Sequence, residues 1–514
     1  MPSRMYRRTS HVLKTCVEEP IHPVTMGIHL RNRASGTAVM VSSLASLLCV
    51  SSCNDEAPAT PAVTLTVGAM LPRTGPNASS DWVAATELAL LDMNTGLRTA
   101  KMDKPVTFAP LEKDTASDEA TAFAFMDECV QAGAKVVVTE STSAAIGANE
   151  YNYTATTLTP LPVISFSATS AALNNPATTD PDPARQAGQQ DLNNWFFRTC
   201  QISNNLSPLR YRYAFSQGPT GNGDLNGDGI VKIVWVGSNA ASTVSSIAGD
   251  QKSFLAAFTA LGRDPATYAS ESITFDLGST TPDTFNYNDY IAQVVDNLNA
   301  TTGVAVQDGF PDLIYDKTLP TIAPAFARAY AQTGNTIPVF EDGSFRRNTT
   351  LTALGTMANG HVGVSNIAFE HNASGELFAQ EQAKANGTGY PPGAYEAQAY
   401  DAMAMALLAT VQATITAGDP ASVTPAQVRD AVTLINSKDP AAVLVGTGAK
   451  EFKKGVEAMV AGKPIDYEGA SGHVDFDAVG NVTSRAVLFQ VQNGQFVETA
   501  IYDCTQDSTC PLVQ

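Results

Sequence analysis

Residues 135–143 read Lys-Val-Val-Val-Thr-Glu-Ser-Thr-Ser. Three valines and a threonine in succession are too few for a helix. They form the unbroken β-branched run that fills a strand covered on both faces. The run gives way to a hydroxyl-rich loop at 141–143, and 144–157 then shows helical spacing. The unit recurs at once: Pro162-Val163-Ile164-Ser165-Phe166 is a second strand, followed by the polar loop Ser167-Ala168-Thr169-Ser170.

Upstream, 63–70 is β-rich and ends in Leu71-Pro72-Arg73-Thr74-Gly75-Pro76. A helix is predicted over 81–94, with Ser79, Ser80 or Asp81 as N-cap. A strand over 106–113 and a helix over 117–132 follow. Strand, loop and helix in repeated order predict a parallel α/β sheet with ligands outside the carboxyl ends of its strands. After a Pro-, Asp- and Gln-rich loop at 174–194 and Trp195-Phe196-Phe197-Arg198-Thr199, the order restarts. Strands are predicted at 230–236, 271–275, 312–315 and 338–340, with helices at 245–261, 287–299 and 322–333. Two similar lobes account for this better than one very wide sheet. Helices over 394–412 and 423–435 follow, then a hairpin over 474–491 turning at Gly480-Asn481.

The chain has 514 residues, 44% hydrophobic and 16% charged, a globular composition long enough for two or three domains. It carries 31 Lys and Arg against 50 Asp and Glu. Residues 1–52 hold six of the bases and two of the acids, leaving 25 against 48 beyond them. So acidic a surface repels phosphate backbones and anionic lipid, which argues against nucleic-acid binding. No stretch beyond the leader reaches 18 uninterrupted apolar residues, which excludes a polytopic membrane protein.

From Met26 the chain reads MGIHLRNRASGTAVMVSSLASLLCVSSC. Arg31 and Arg33 form a basic start, 37–50 an apolar segment too short to span a bilayer, and Val50-Ser51-Ser52-Cys53 a lipobox-like end. Residues 1–52 are therefore expected to be a signal peptide, Cys53 the lipidated residue, and 53–62 a tether holding the protein to the membrane by its lipid alone. Cys129, Cys200, Cys504 and Cys510 remain in an oxidising compartment. Cys504 with Cys510 closes a small loop and is the favoured pair; Cys129 with Cys200 follows by elimination, against the alternative of buried thiols.

Several segments together resemble the leucine/isoleucine/valine-type, or type I, periplasmic solute-binding proteins of ABC transporters. They are Gly68-Ala69-Met70-Leu71-Pro72-Arg73-Thr74-Gly75-Pro76 before a helix ending Asp92-Met93-Asn94, then Lys113-Asp114-Thr115, the 141–143 loop, and Pro162 to Thr169. Phe197-Arg198-Thr199, Asp342-Gly343, Tyr400-Asp401-Ala402 and Gly472 to Asp477 with Gly480 continue the order, so the resemblance covers about 63–500. It implies an α/β fold of two Rossmann-like lobes with parallel sheets joined by three crossover strands. Carried over, lobe 1 is 63–200 with 363–484, and lobe 2 is 201–362 with 485–514. It further implies an extracytoplasmic bacterial protein, a monomer, delivering an amino acid or similar solute to an ABC permease complex. A sensing domain for a signalling partner, or a surface protein with a degenerate cleft, would share the fold.

An amino acid needs donors for its carboxylate and an acceptor for its ammonium. Helix N-termini supply the first, which selects Thr142 and Ser143; the resemblance implies the backbone of Ala168 and the hydroxyl of Thr169 beside them. Asp342 stands where the family carries an acidic residue, Tyr315 matches an aromatic cleft position, and Ser80 or Trp82 lies after the first strand. Each has a plainer role beside it: helix cap for Ser143, turn residue for Asp342, core packing for Tyr315 and Trp82. Arg346-Arg347 reads as solvated surface rather than as an anion selector. Asp224, Asn226 and Asp228, with Gly229, match the first half of a calcium loop, but Trp235 replaces the bidentate Glu; a structural calcium and a simple turn both remain open. No other cofactor is indicated. Beyond the leader only His361, His371 and His473 remain, with no metalloprotease, nucleophile-elbow or P-loop motif, so catalysis is not expected.

Overall fold

The computed structural model describes residues 61–154, 159–218, 220–278, 280–295, 310–385, 392–505 and 510–513. The leader, Cys53 and most of the tether lie outside them, as do the ends of the helices expected over 144–157 and 287–299. The first sheet is built from β1 (Val63–Leu71), β2 (Val106–Asp114), β3 (Val137–Thr139), β4 (Val163–Ser165) and β5 (Phe196–Arg198). Its order is β2-β1-β3-β4-β5, all neighbours parallel. The connecting helices are α1 (Ser80–Thr99), α2 (Glu119–Gln131), α3 (Thr142–Thr154) and α4 (Pro183–Gln190). The loop expected over 174–194 therefore contains a helix; Asp182 caps it by accepting from Ala184 and Arg185, with Pro183 in the first turn.

The chain then crosses to the second lobe. There α5 (Ser207–Ser216), β6 (Val231–Ser238), α6 (Ala241–Ala260), β7 (Tyr268–Phe275), α7 (Asn288–Val295), β8 (Leu313–Asp316), α8 (Ala323–Gln332), β9 (Val339–Glu341), α9 (Asn348–Leu354) and β10 (Val362–Asn366) follow. The second sheet runs β15-β14-β10-β9-β8-β6-β7, parallel from β7 to β10. Its last two strands are the antiparallel hairpin β14 (Arg485–Gln492) and β15 (Gln495–Asp503), which turns at Asn493-Gly494 with φ of 53° and 73°. Asn-Gly is the residue pair that tolerates both left-handed positions, so the hairpin lies later than expected over 474–491. Because β10 pairs with β9 and β14, the second crossing falls after Asn366.

Between β10 and β14 the chain returns to the first lobe as α10 (Ala373–Ala385), α11 (Glu396–Ala417), α12 (Pro425–Val432), β11 (Val443–Val445), α13 (Ala449–Val460), β12 (Ile465–Gly469) and β13 (Gly472–His473). α11 is buried almost all round and packs along α1, as its continuous apolar sequence requires. Asp401 within it accepts from Tyr467 Oη (2.8 Å) and from the N–H groups of Ala470 (2.7 Å) and Ser471 (2.8 Å), tying the small sheet to the lobe.

Cys504 and Cys510 are bonded, but Cys129 and Cys200 are free and buried. Cys129 packs from α2 under β1, where a Cβ on Gly68 would come within 2.6 Å of its Sγ. Cys200 lies past β5, at the first crossing. The pairing inferred by elimination is therefore replaced by two inert thiols; burial pushes both up to about 12. Alkylation of the native protein followed by peptide mapping should leave both unmodified and recover the Cys504–Cys510 peptide linked. Labelling before unfolding, or a linked Cys129–Cys200 peptide, would contradict this packing.

Candidate functional site

The carboxyl ends of both parallel sheets open on a cavity of about 470 Å³ whose walls come from both lobes. On the first lobe, the turn after β1 is held by Asp114, which accepts from the N–H groups of Arg73 and Thr74 (both 3.1 Å) and from Thr74 Oγ1 (2.7 Å). Ser79 caps α1 by accepting from Trp82 N. After β3, buried Glu140 accepts from Thr115 Oγ1 (2.5 Å), and burial pushes its carboxyl up. Ser141 is the residue that caps α3, accepting from Ala144 N at 3.2 Å. Thr142, Ser143 and Thr169 line the cavity, as does Trp82.

Three expected residues lie off that wall. Ala168 spends its N–H on Ser165 Oγ (3.2 Å) and its carbonyl on Arg198 Nη1 (2.8 Å), so its backbone is not offered to a ligand. Ser80 begins α1 and is exposed. Tyr315 is fully buried in the second-lobe core, with Arg210 and Lys317 over its ring at 5.5 Å and 5.6 Å from the centroid.

Asp342 does line the cavity, but its charge is already matched. Its Oδ2 meets Lys317 Nζ at 2.8 Å and its Oδ1 meets Arg210 Nη2 at 3.1 Å. Asp250 completes the cluster from below, at 2.9 Å from Arg210 and 3.2 Å from Lys317. Burial alone would raise the Asp342 pKa; the two cations overcome it and hold the carboxyl at about 2.

Arg346 and Arg347, read from the sequence as surface, are only 3% and 4% exposed. Arg346 is taken by Glu498 and Ser365 Oγ. Arg347 stands on the cavity wall, its guanidinium carbon 3.7 Å from the centroid of Trp82 on the opposite lobe. Tyr395, which opens α11 on the lobe of Trp82, also lines the cavity, edge-on to Trp82 at 5.8 Å and held at φ 68°, a backbone region that costs an aromatic residue strain. Neither role had a sequence signal beyond residue type. The lobes touch directly where Thr321 donates from N (3.2 Å) and Oγ1 (3.1 Å) to the carbonyl of Pro76.

In the Asp-rich loop, Asp224 accepts from the N–H groups of Gly227 (2.7 Å) and Gly229 (3.0 Å), Asn226 from Asp228 (2.9 Å), and Asp228 from Ile230 (2.9 Å) and Phe310 (2.8 Å). The loop thus braces itself through its own amides. Among the described residues no group of three or more His, Cys, Asp or Glu is arranged to hold a metal.

Asp342→Asn should strand Lys317 and Arg210 against Asp250 alone and cost about 3–5 kcal/mol, the usual loss when one partner of a buried pair is removed. Since its folded pKa of about 2 lies below the ordinary 3.8, Asp342 stabilises fully above pH 3.8 and loses that contribution as pH falls through 2. Thermal unfolding of the variant should therefore show a lowered Tm at pH 7 and a shallower acid limb. An unchanged Tm would contradict the cluster's role.

No protein-family model matches the sequence, and no curated protein matches it. Solved structures do. A leucine-binding protein from Thermotoga maritima superposes with a TM-score of 0.57 at 16% identity, covering 85% of this chain and 98% of that one. An ABC-transporter solute-binding protein from Rhodopseudomonas palustris in complex with 3,4-dihydroxybenzoic acid gives 0.58 at 18%, covering 86% and 98%. A branched-chain amino acid ABC transporter protein from Thermus thermophilus with bound valine gives 0.55 at 14%, covering 85% and 95%. At such identities the likeness is one of architecture: the chain has the two-lobed type I periplasmic binding protein fold.

Proposed function

We propose that this chain is an extracytoplasmic solute-binding protein, anchored through a lipid at Cys53, that captures a small organic acid between its lobes and presents it to an ABC importer. The observation that carries the reading is the cavity itself: one site walled by both lobes, beside a direct lobe-to-lobe contact at Thr321 and Pro76. A solute there touches both halves, so its binding energy favours the closed form to the extent that its contacts exist only on closure. The partner permease then distinguishes closed from open. Among the described residues neither His nor Cys lines the cavity, which favours binding over turnover. The ligands carried by the structural relatives, valine and 3,4-dihydroxybenzoic acid, share a carboxylate; an amino acid, the solute expected from the sequence, belongs to that class.

Thermal unfolding after a denature–refold step, against amino acids, hydroxy acids and aromatic acids, tests this. A solute at about 100 times its Kd adds about 2.7 kcal/mol, and Thr321→Val should weaken the same solute several-fold without abolishing folding. A folded protein that no small acid stabilises would overturn the proposal.

A further inference from the structure

The cavity wall carries two cations, Lys317 and Arg347, against one carboxylate, Asp342. Lys317 is held between Asp342 (2.8 Å) and Asp250 (3.2 Å). Arg347 has no such partner. Its Nε and Nη1 are buried without a hydrogen bond to any described residue, while Trp82 covers its face at 3.7 Å. Asp81 and Glu396 act on it through space, but neither closes a hydrogen bond to it. Glu396 is engaged by Gly393 N (2.6 Å) and Gln382 Nε2 (2.9 Å), and burial pushes its carboxyl up to about 7. A buried guanidinium left so is costly until an anion meets it. The stacking on Trp82 fixes the plane in which a carboxylate can approach its edge.

The other half of an amino acid finds no counterpart. An ammonium needs an acceptor with charge to spare, and Asp342, the one carboxylate on the wall among the described residues, is spent on Lys317 and Arg210. What remains on the wall is hydroxyl and amide: Thr142, Ser143, Ser167, Thr169, Asn175 and Ser203 among others. These groups both donate and accept, and they suit oxygen functions on the solute. We propose that the solute is an oxygenated organic anion, a hydroxy or keto carboxylate without an ammonium group, whose carboxylate is received by Arg347. The inference rests on the cleft being the solute site.

Calorimetric titration with pairs that share a carbon skeleton tests it: 2-hydroxyisocaproate against leucine, lactate against alanine, and 4-hydroxybenzoate as an aromatic member. Ammonium-free acids should bind at least about 10-fold tighter than their amino partners. Arg347→Gln should weaken the best acid by about 10- to 100-fold, with Arg347→Lys recovering part of the loss. Without solute, Arg347→Gln should unfold no earlier than the parent, since it removes an unpaired buried charge; a residue with a purely structural role would behave otherwise. An amino acid binding as tightly as its hydroxy analogue, or an affinity untouched in Arg347→Gln, would overturn the inference while leaving solute capture intact. Absence of binding by every acid would instead overturn the capture proposal on which it stands.

Discussion

Arg210, Asp250, Lys317 and Asp342 form one buried cluster under the cleft, and the chemistry of the cavity follows from how its charges are spent. Two cations and two carboxylates within 2.8–3.2 Å of one another neutralise themselves. Such a cluster adds little net stability over a well-packed apolar core, yet no member can be removed without stranding the others. It joins α5, α6, β8 and the turn after β9, and so fixes the second-lobe wall before any ligand arrives. Asp342, the obvious acceptor for an ammonium, thereby becomes a structural residue that happens to face the cavity.

The opposite lobe answers with neutral groups. Ser141 caps α3 and Ser79 caps α1, which frees Thr142 and Ser143 to face the cavity. Trp82 is anchored by its Nε1–H to the Ala394 carbonyl at 3.0 Å and packs edge-on against Phe166. It can therefore serve as a rigid plate for Arg347 across the cleft. Tyr395 accepts an unfavourable backbone conformation beside it. Strain and an unpaired charge thus meet at the place where the two lobes meet, the distribution expected when a site rather than the fold sets the local geometry.

What could be read from the sequence was what periodicity encodes. The runs at 135–139 and 162–166 hold strands β3 (Val137–Thr139) and β4 (Val163–Ser165), each followed by its polar loop, and the restart after Thr199 marks the second lobe. Such patterns report burial on a sheet covered by helices, and little else produces them. Gly480-Asn481 and Asn493-Gly494 are alike as turn sequences, and Gly480 is itself left-handed at φ 81°; only the strand pairing on either side of Asn493-Gly494 places the hairpin there. The site was legible in residue type and not in role. Whether Asp342 is free or spent depends on Lys317 and Arg210, 25 and 132 positions before it, and whether Arg347 is solvated or buried depends on Trp82, 265 positions before it. No local pattern carries that information. Cys129 and Cys200 show the same limit: counting cysteines suggested a pair, and packing under β1 decided against it.

The claim on which the account turns is that a solute closes the lobes. Spin labels at Ala124 on α2 and Lys252 on α6, both exposed, would report the separation of the lobes by pulsed dipolar spectroscopy. The account predicts a broad distribution for the solute-free protein that narrows and shifts to shorter distance with a saturating acid that stabilises it. A distribution unchanged by that acid would show that binding and closure are separate events, and would contradict capture by closure.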